Sequence, residues 1–91
     1  MKYKVVLAPK AAKDLKRLMD CQPSAYRKAL SLIRELQEHP RTGTGKPEQL
    51  RENKAGQWSR RITREHRMVY TITESEVHVD VLSAYGHYDD K

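Results

Sequence analysis

Three alternating runs near the end of the chain constrain its fold more than any other feature. Gln57–Ile62, His66–Thr73 and Glu76–Tyr85 each alternate apolar and polar residues with period two, the spacing of half-buried strands. Only Thr63–Glu65 and Glu74-Ser75 separate them. Breaks that short cannot carry a crossover, so the three strands are expected to pair antiparallel as a meander. Parity then assigns faces. Met68, Tyr70 and Ile72 share one side of the second strand, Val77, Val79 and Val81 one side of the third, and Trp58 and Ile62 the apolar side of the first. The opposite side carries Ser59 and Arg61, then Arg67, Val69 and Thr71, then His78 and Asp80. Arg61 and Arg67 flank one turn and are expected close together on the uncovered sheet face. Arg60 falls on the apolar side, where it is expected to snorkel at the sheet edge or pair with an acid.

Upstream the period changes. Lys2–Leu7 alternates as a strand, with Tyr3, Val5 and Leu7 on one side, and stops at Ala8-Pro9. Pro9 suits the first turn of a helix, where its missing N–H costs nothing. From there Ala11 or Ala12, Leu15, Leu18 and Met19 form an apolar stripe that ends near Cys21. Gln22-Pro23-Ser24 breaks the helix and starts a second, with Tyr26, Ala29, Leu30, Ile33 and Leu36 as its stripe and His39-Pro40 as its stop. Gly43–Gly56 has no apolar period and reads as a loop. Strand, two helices and a meander imply an α+β fold, an N-terminal strand and two helices packed on one face of an antiparallel sheet. Residues 1–91 are expected to make a single domain. With 37% hydrophobic residues and no phenylalanine its core is lean, and a binding partner would help to stabilise it.

The formal charge of +6 is unevenly spread. Basic groups outnumber acidic ones nine to four over residues 1–40 and eight to three over 41–67, but only one stands against five over 68–91. A basic body suits nucleic acid or a strongly acidic protein partner, and charge alone does not separate the two. No apolar run reaches the ~20 residues of a membrane span, and the N-terminus turns charged too soon for a signal peptide. The lone Cys21 fits a reducing cytoplasm, as a small residue ending a helix. There is no phosphate-binding glycine loop, no zinc spacing of Cys and His, and no Gly-x-Ser-x-Gly. A two-metal nuclease needs convergent carboxylates, whereas this half of the chain is basic. Neither a cofactor nor a metal is expected.

What remains is Glu48, Arg61, Arg67, His87 and Tyr88. RNA carries its own nucleophile, the 2′-hydroxyl beside each phosphodiester. Cleavage by that hydroxyl needs a base, a cation to hold the phosphorane, and an acid for the departing 5′-oxygen. A glutamate, arginines and a histidine can fill those roles, and a tyrosine can stack on a base and orient the attack. Each residue also has a plainer reading: Glu48 as a solvated loop carboxylate, the arginines as a solvated or partner-binding face, His87-Tyr88 as a frayed strand end. Trp58 reads as core packing, His39 and His66 as helix-stop and turn residues, and His78 as a solvent-facing strand residue.

At GKPEQL (Gly45–Leu50), GQWSRRITREHRMVY (Gly56–Tyr70) and the closing GHY (Gly86–Tyr88), the chain resembles the YoeB/Txe toxins of the RelE/ParE toxin–antitoxin superfamily. The resemblance runs over nearly the whole length. It implies a RelE-like fold and a ribosome-dependent endoribonuclease that cuts messenger RNA without a metal and so inhibits translation. It further implies that Glu48 is the general base, that Arg67 stabilises charge with Arg61 binding phosphate, that His87 is the general acid and that Tyr88 positions the base. Lys46 and Arg51 flank the glutamate and are expected to contact the RNA backbone. The implied partners are a cognate antitoxin, the ribosome with messenger RNA in its decoding site, and operator DNA only through the antitoxin. A homodimer stays open, and no membrane is involved. Two alternatives are a ParE-like gyrase poison and an inactive co-repressor that only binds its antitoxin. The chain departs from the pattern by continuing past His87-Tyr88 with Asp89, Asp90 and Lys91.

Overall fold

The alternating and helical segments pack as two layers in the computed structural model, which describes residues 2–50 and 56–86. Strand β1 (Lys4–Leu7) leads into helix α1 (Pro9–Cys21) and helix α2 (Pro23–Leu36). A two-residue strand β2 (Glu48–Gln49) follows, then β3 (Gln57–Arg61), β4 (Arg67–Thr73) and β5 (His78–Ser83). The sheet order is β1-β5-β4-β3-β2. Its β2–β5 portion is antiparallel, as the short connections require. The sheet as a whole is mixed, which corrects the all-antiparallel expectation. β1 joins β5 in parallel, with Lys4 opposite His78 and Leu7 opposite Val81. Two helices intervene between β1 and its partner, so turn length places no limit on their relative direction.

Both helices begin with proline in the first turn, and Gln22 serves both. Its N–H reaches back to the Leu18 carbonyl at 2.7 Å, and its own carbonyl accepts from Tyr26 N–H at 3.0 Å. The core lies between the helices and one sheet face. It joins Ala11, Leu15 and Leu18 of α1 and Ala25, Ala29, Leu32 and Leu36 of α2 to Met68, Tyr70, Val79 and Val81. Two stripes differ from expectation. Met19 is 43% exposed, because α1 turns Ala11, Leu15 and Leu18 inward instead. In α2 the fully buried line runs through Ala25 and Leu32, while Tyr26 and Ile33 pack at its margin. Burying a leucine such as Leu32 contributes about 1.5–3 kcal/mol.

β5 is shorter than the Glu76–Tyr85 expected. Glu74–Glu76 forms a 3-10 turn and Val77 takes a left-handed conformation (φ 50°), so extended backbone begins only at His78. Left-handed geometry is costly for a β-branched residue. The Val77 N–H bonded to Glu74 O (3.1 Å) and its carbonyl, which accepts from Lys4 N–H (2.9 Å), hold it there. Among the described residues, no helix is long and apolar enough to cross a membrane.

Candidate functional site

Cross-strand partners in an antiparallel pair share a face, so the register shows what the face away from the helices presents; Ser59 and Val69 at its centre are buried, whereas Arg61 and Glu48 are exposed. Arg61 stands opposite Arg67, Ser59 opposite Val69, and Glu48 opposite Ser59. The two arginines therefore adjoin, as strand parity requires. Arg61 N–H turns away to Gly45 O (2.7 Å) and Arg67 N–H to Gly86 O (2.8 Å), which makes theirs a narrow pair. Cα atoms in such pairs are about 4.5 Å apart. Glu48 lies one strand over, on the diagonal from Arg61, a separation of about 7–8 Å. Glu48 and Arg61 are exposed, and Arg67 is half-buried. A carboxylate beside two guanidinium groups can take a proton from a hydroxyl while the cations hold an anionic phosphorus centre.

Glu48 is held by a short strand where a loop was expected. β2 has only two residues, too few to show a period, and it pairs with β3 through Glu48–Ser59 and Gln49–Trp58. Leu50 N–H adds a bond to Gln57 O at 2.8 Å. Just before it, Gly45 (φ 86°) and Lys46 (φ 52°) are both left-handed. Gly45 is required there twice over, since a Cβ would sit 2.8 Å from the Arg61 carbonyl. Lys46 is exposed and keeps a conformation that costs a non-glycine residue roughly 1–2 kcal/mol. Arg51, His87 and Tyr88 lie outside the described residues.

On the covered face Arg60 is fully buried and pairs with Glu35 of α2, the second of the two fates expected for it. A guanidinium has five N–H donors, and here every one has an acceptor. Nε donates to the Tyr70 hydroxyl (3.2 Å), one terminal nitrogen to Glu35 and Thr44 O (3.2 Å), the other to His39 O and Thr42 O (2.7 Å). Tyr70 in turn donates to Pro40 O at 2.7 Å. Arg60 thus ties residues 39–44, the approach to Glu48, onto the sheet. Burial alone would raise the Glu35 pKa, but bonds from the Thr44 amide and hydroxyl and from Arg60 outweigh it and leave the carboxyl below its ordinary value. Burial raises the Tyr70 pKa against the opposing pull of Arg60, so the phenol stays neutral and can donate. Sequence parity located Arg60 but could not name its five acceptors, four of which lie 16–25 residues upstream.

Ser59 is fully buried on the opposite face, and among the described residues its Oγ has no hydrogen-bond partner. His66, expected as a turn residue, is 4% exposed. Tyr85, whose ring centroid lies 4.3 Å away, packs against it together with Gln22 and Gly86, and no local pattern around His66 announces them. His78 is half-exposed and bonded to Asp80 on its own strand, Nε2 to Oδ1 at 2.7 Å. Among the described residues, no three His, Cys, Asp or Glu side chains converge as a metal site would need.

The chain matches the profile of the YoeB-like toxins of bacterial type II toxin–antitoxin systems over residues 7–88. It is 40% identical over 80 residues to Toxin YoeB of Mycobacterium bovis, a stretch covering 88% of this chain and 92% of that one. With Toxin YoeB of Escherichia coli K12 it shares 47% identity over 51 residues, or 56% of this chain and 61% of the relative's length. Among solved structures, the YoeB/ParE toxin from Agrobacterium tumefaciens superposes with a TM-score of 0.86 at 36% identity, covering 93% of this chain and 99% of that one. YoeB in the YoeB–YefM complex from Staphylococcus aureus gives 0.80 at 31%, covering 97% and 100%.

Proposed function

The chain belongs to the YoeB-like toxins of bacterial type II toxin–antitoxin systems, and from that premise we propose that it is a ribosome-dependent endoribonuclease acting on messenger RNA. Glu48 takes the proton from the 2′-hydroxyl, whose oxygen attacks the adjacent phosphorus. Arg67, assisted by Arg61, holds the equatorial oxygens of the phosphorane as charge builds on them. His87 gives its proton to the 5′-oxygen as the P–O5′ bond breaks. The products are a 2′,3′-cyclic phosphate and a 5′-hydroxyl. Tyr88 stacks on a base and keeps attacking and leaving oxygens in line. Lys46 and Arg51 steer the RNA backbone. No metal or cofactor enters this scheme, because the RNA supplies the nucleophile and the side chains supply acid, base and cation.

The observation that carries this reading is the cross-strand Arg61–Arg67 pair with Glu48 on the same face, one strand away. The partners proposed with it are the ribosome carrying messenger RNA and a cognate antitoxin of acidic character that covers the basic surface, all within the cytoplasm. Operator DNA is reached only through the antitoxin. Primer extension on ribosomes programmed with defined codons tests the proposal. Discrete cuts by the wild-type chain and none by Glu48→Ala combined with His87→Ala are expected. Equal cleavage by both sinks it, and replication stopping before translation on induction points to a gyrase poison instead.

A further inference from the structure

Gly86 immediately precedes His87, and two consecutive residues grip both of its backbone groups. His66 Nδ1 accepts from Gly86 N–H at 2.8 Å, and Arg67 N–H donates to Gly86 O at 2.8 Å. The approach to Gly86 is fastened as well. Ala84 N–H donates to the buried Asp14 of α1 at 3.0 Å. The Tyr85 ring lies between His66 and the Arg17 guanidinium, 4.1 Å from its centroid.

His66 is itself fixed at every polar atom. Its N–H donates to Thr63 Oγ1 (3.2 Å), and its carbonyl accepts from Ile62 N–H (2.9 Å) and Thr63 N–H (3.2 Å). A backbone amide always donates, so Nδ1 must be the bare nitrogen and the ring proton must sit on Nε2. Nε2 lies 3.1 Å from the Gln22 side-chain amide, which then turns its oxygen toward the ring. The result is a neutral imidazole of defined tautomer, braced by the link between α1 and α2.

We propose that His66 is a positioning residue for the cleavage reaction: by accepting the Gly86 amide it sets the point from which His87 and Tyr88 depart, next to the Arg61–Arg67 pair. The proposal rests on the endoribonuclease reading. It assigns His66 no contact with RNA. Its effect reaches the reaction through the placement of the acid, and a misplacement of about 1 Å costs a reaction on the order of 10²-fold.

Two substitutions in the full chain separate this role from simple packing. Asparagine carries an amide oxygen where histidine has Nδ1, so His66→Asn keeps an acceptor for Gly86. Glutamine reaches the Nε2 position instead, so His66→Gln keeps a partner for Gln22 and drops Gly86. On programmed ribosomes, His66→Gln is expected to lower kcat about 100-fold with KM for the ribosome unchanged, and His66→Asn to restore most of it. Amide hydrogen exchange at Gly86 should quicken in His66→Gln and stay slow in His66→Asn. Equal cleavage by His66→Gln and wild type, or equal impairment of both variants, overturns the role. A wild-type chain that leaves programmed messenger uncut overturns the endoribonuclease reading and this role with it, and Gly86 exchange then still reports whether the grip exists.

Discussion

Arg60 and Arg61 are consecutive in β3 and meet opposite circumstances. Arg60 points under the helices, is fully buried and has all five donors matched. Arg61 points the other way, is exposed, and stands beside Arg67. The covered face spends its cation on holding chain segments together. The other face sets two cations side by side across the strands. If the proposed chemistry holds, architecture and chemistry are divided between two sides of one strand, and substitutions should affect one without the other.

The sharpest break in that division would come from Arg60→Ala. It takes the counter-charge from Glu35, which keeps only its Thr44 bonds, removes a donor from Tyr70 and leaves the carbonyls of His39, Thr42 and Thr44 without Arg60, and is expected to cost about 3–5 kcal/mol in urea unfolding. Arg61→Ala should do the reverse. Loss of one charged hydrogen bond to phosphate, about 1.5–3 kcal/mol, lowers cleavage on programmed ribosomes roughly 10- to 100-fold, while stability stays within about 0.5 kcal/mol. Comparable destabilisation by both would end the contrast. Ser59→Ala removes a buried hydroxyl that bonds to none of the described residues, so unfolding should show no loss or a gain of up to about 1 kcal/mol; a clear loss would mean that the hydroxyl is partnered in solution. The smallest expected effect concerns acid. The depressed Glu35 pKa contributes stability that is fully present above the ordinary glutamate value of about 4.3 and is lost as pH falls through the lower folded value. Urea midpoints taken from pH 6 down to pH 3 should therefore drop further for wild type than for Glu35→Gln.

Much of the fold could be read in the chain because its signals are local. Three-residue and two-residue breaks dictate antiparallel neighbours, and parity carries Arg61 and Arg67 to one face. What escaped depends on residues distant in sequence. Nothing around Lys4–Leu7 names β5 as its partner, and nothing near His66 announces Gly86 or Tyr85, some twenty residues later. Glu48 stood out as a carboxylate beside arginines, yet its strand was invisible because two residues cannot display a period. The same limit explains Met19. A helical stripe fixes a direction only to within about one residue, and α1 rotated until its three deepest apolar side chains pointed inward.

The parallel pairing of β1 with β5 orders events in time. Lys4 leaves a ribosome long before His78, its partner, has been made. Until residues 78–86 emerge, β4 lacks its second neighbour and the His66 ring has no amide to accept. A nascent chain therefore acquires Glu48, Arg61 and Arg67 before it has the segment that leads to His87. Under the activity proposed above, no product chain is able to cut a message until residues 78–86 have left the ribosome that makes it.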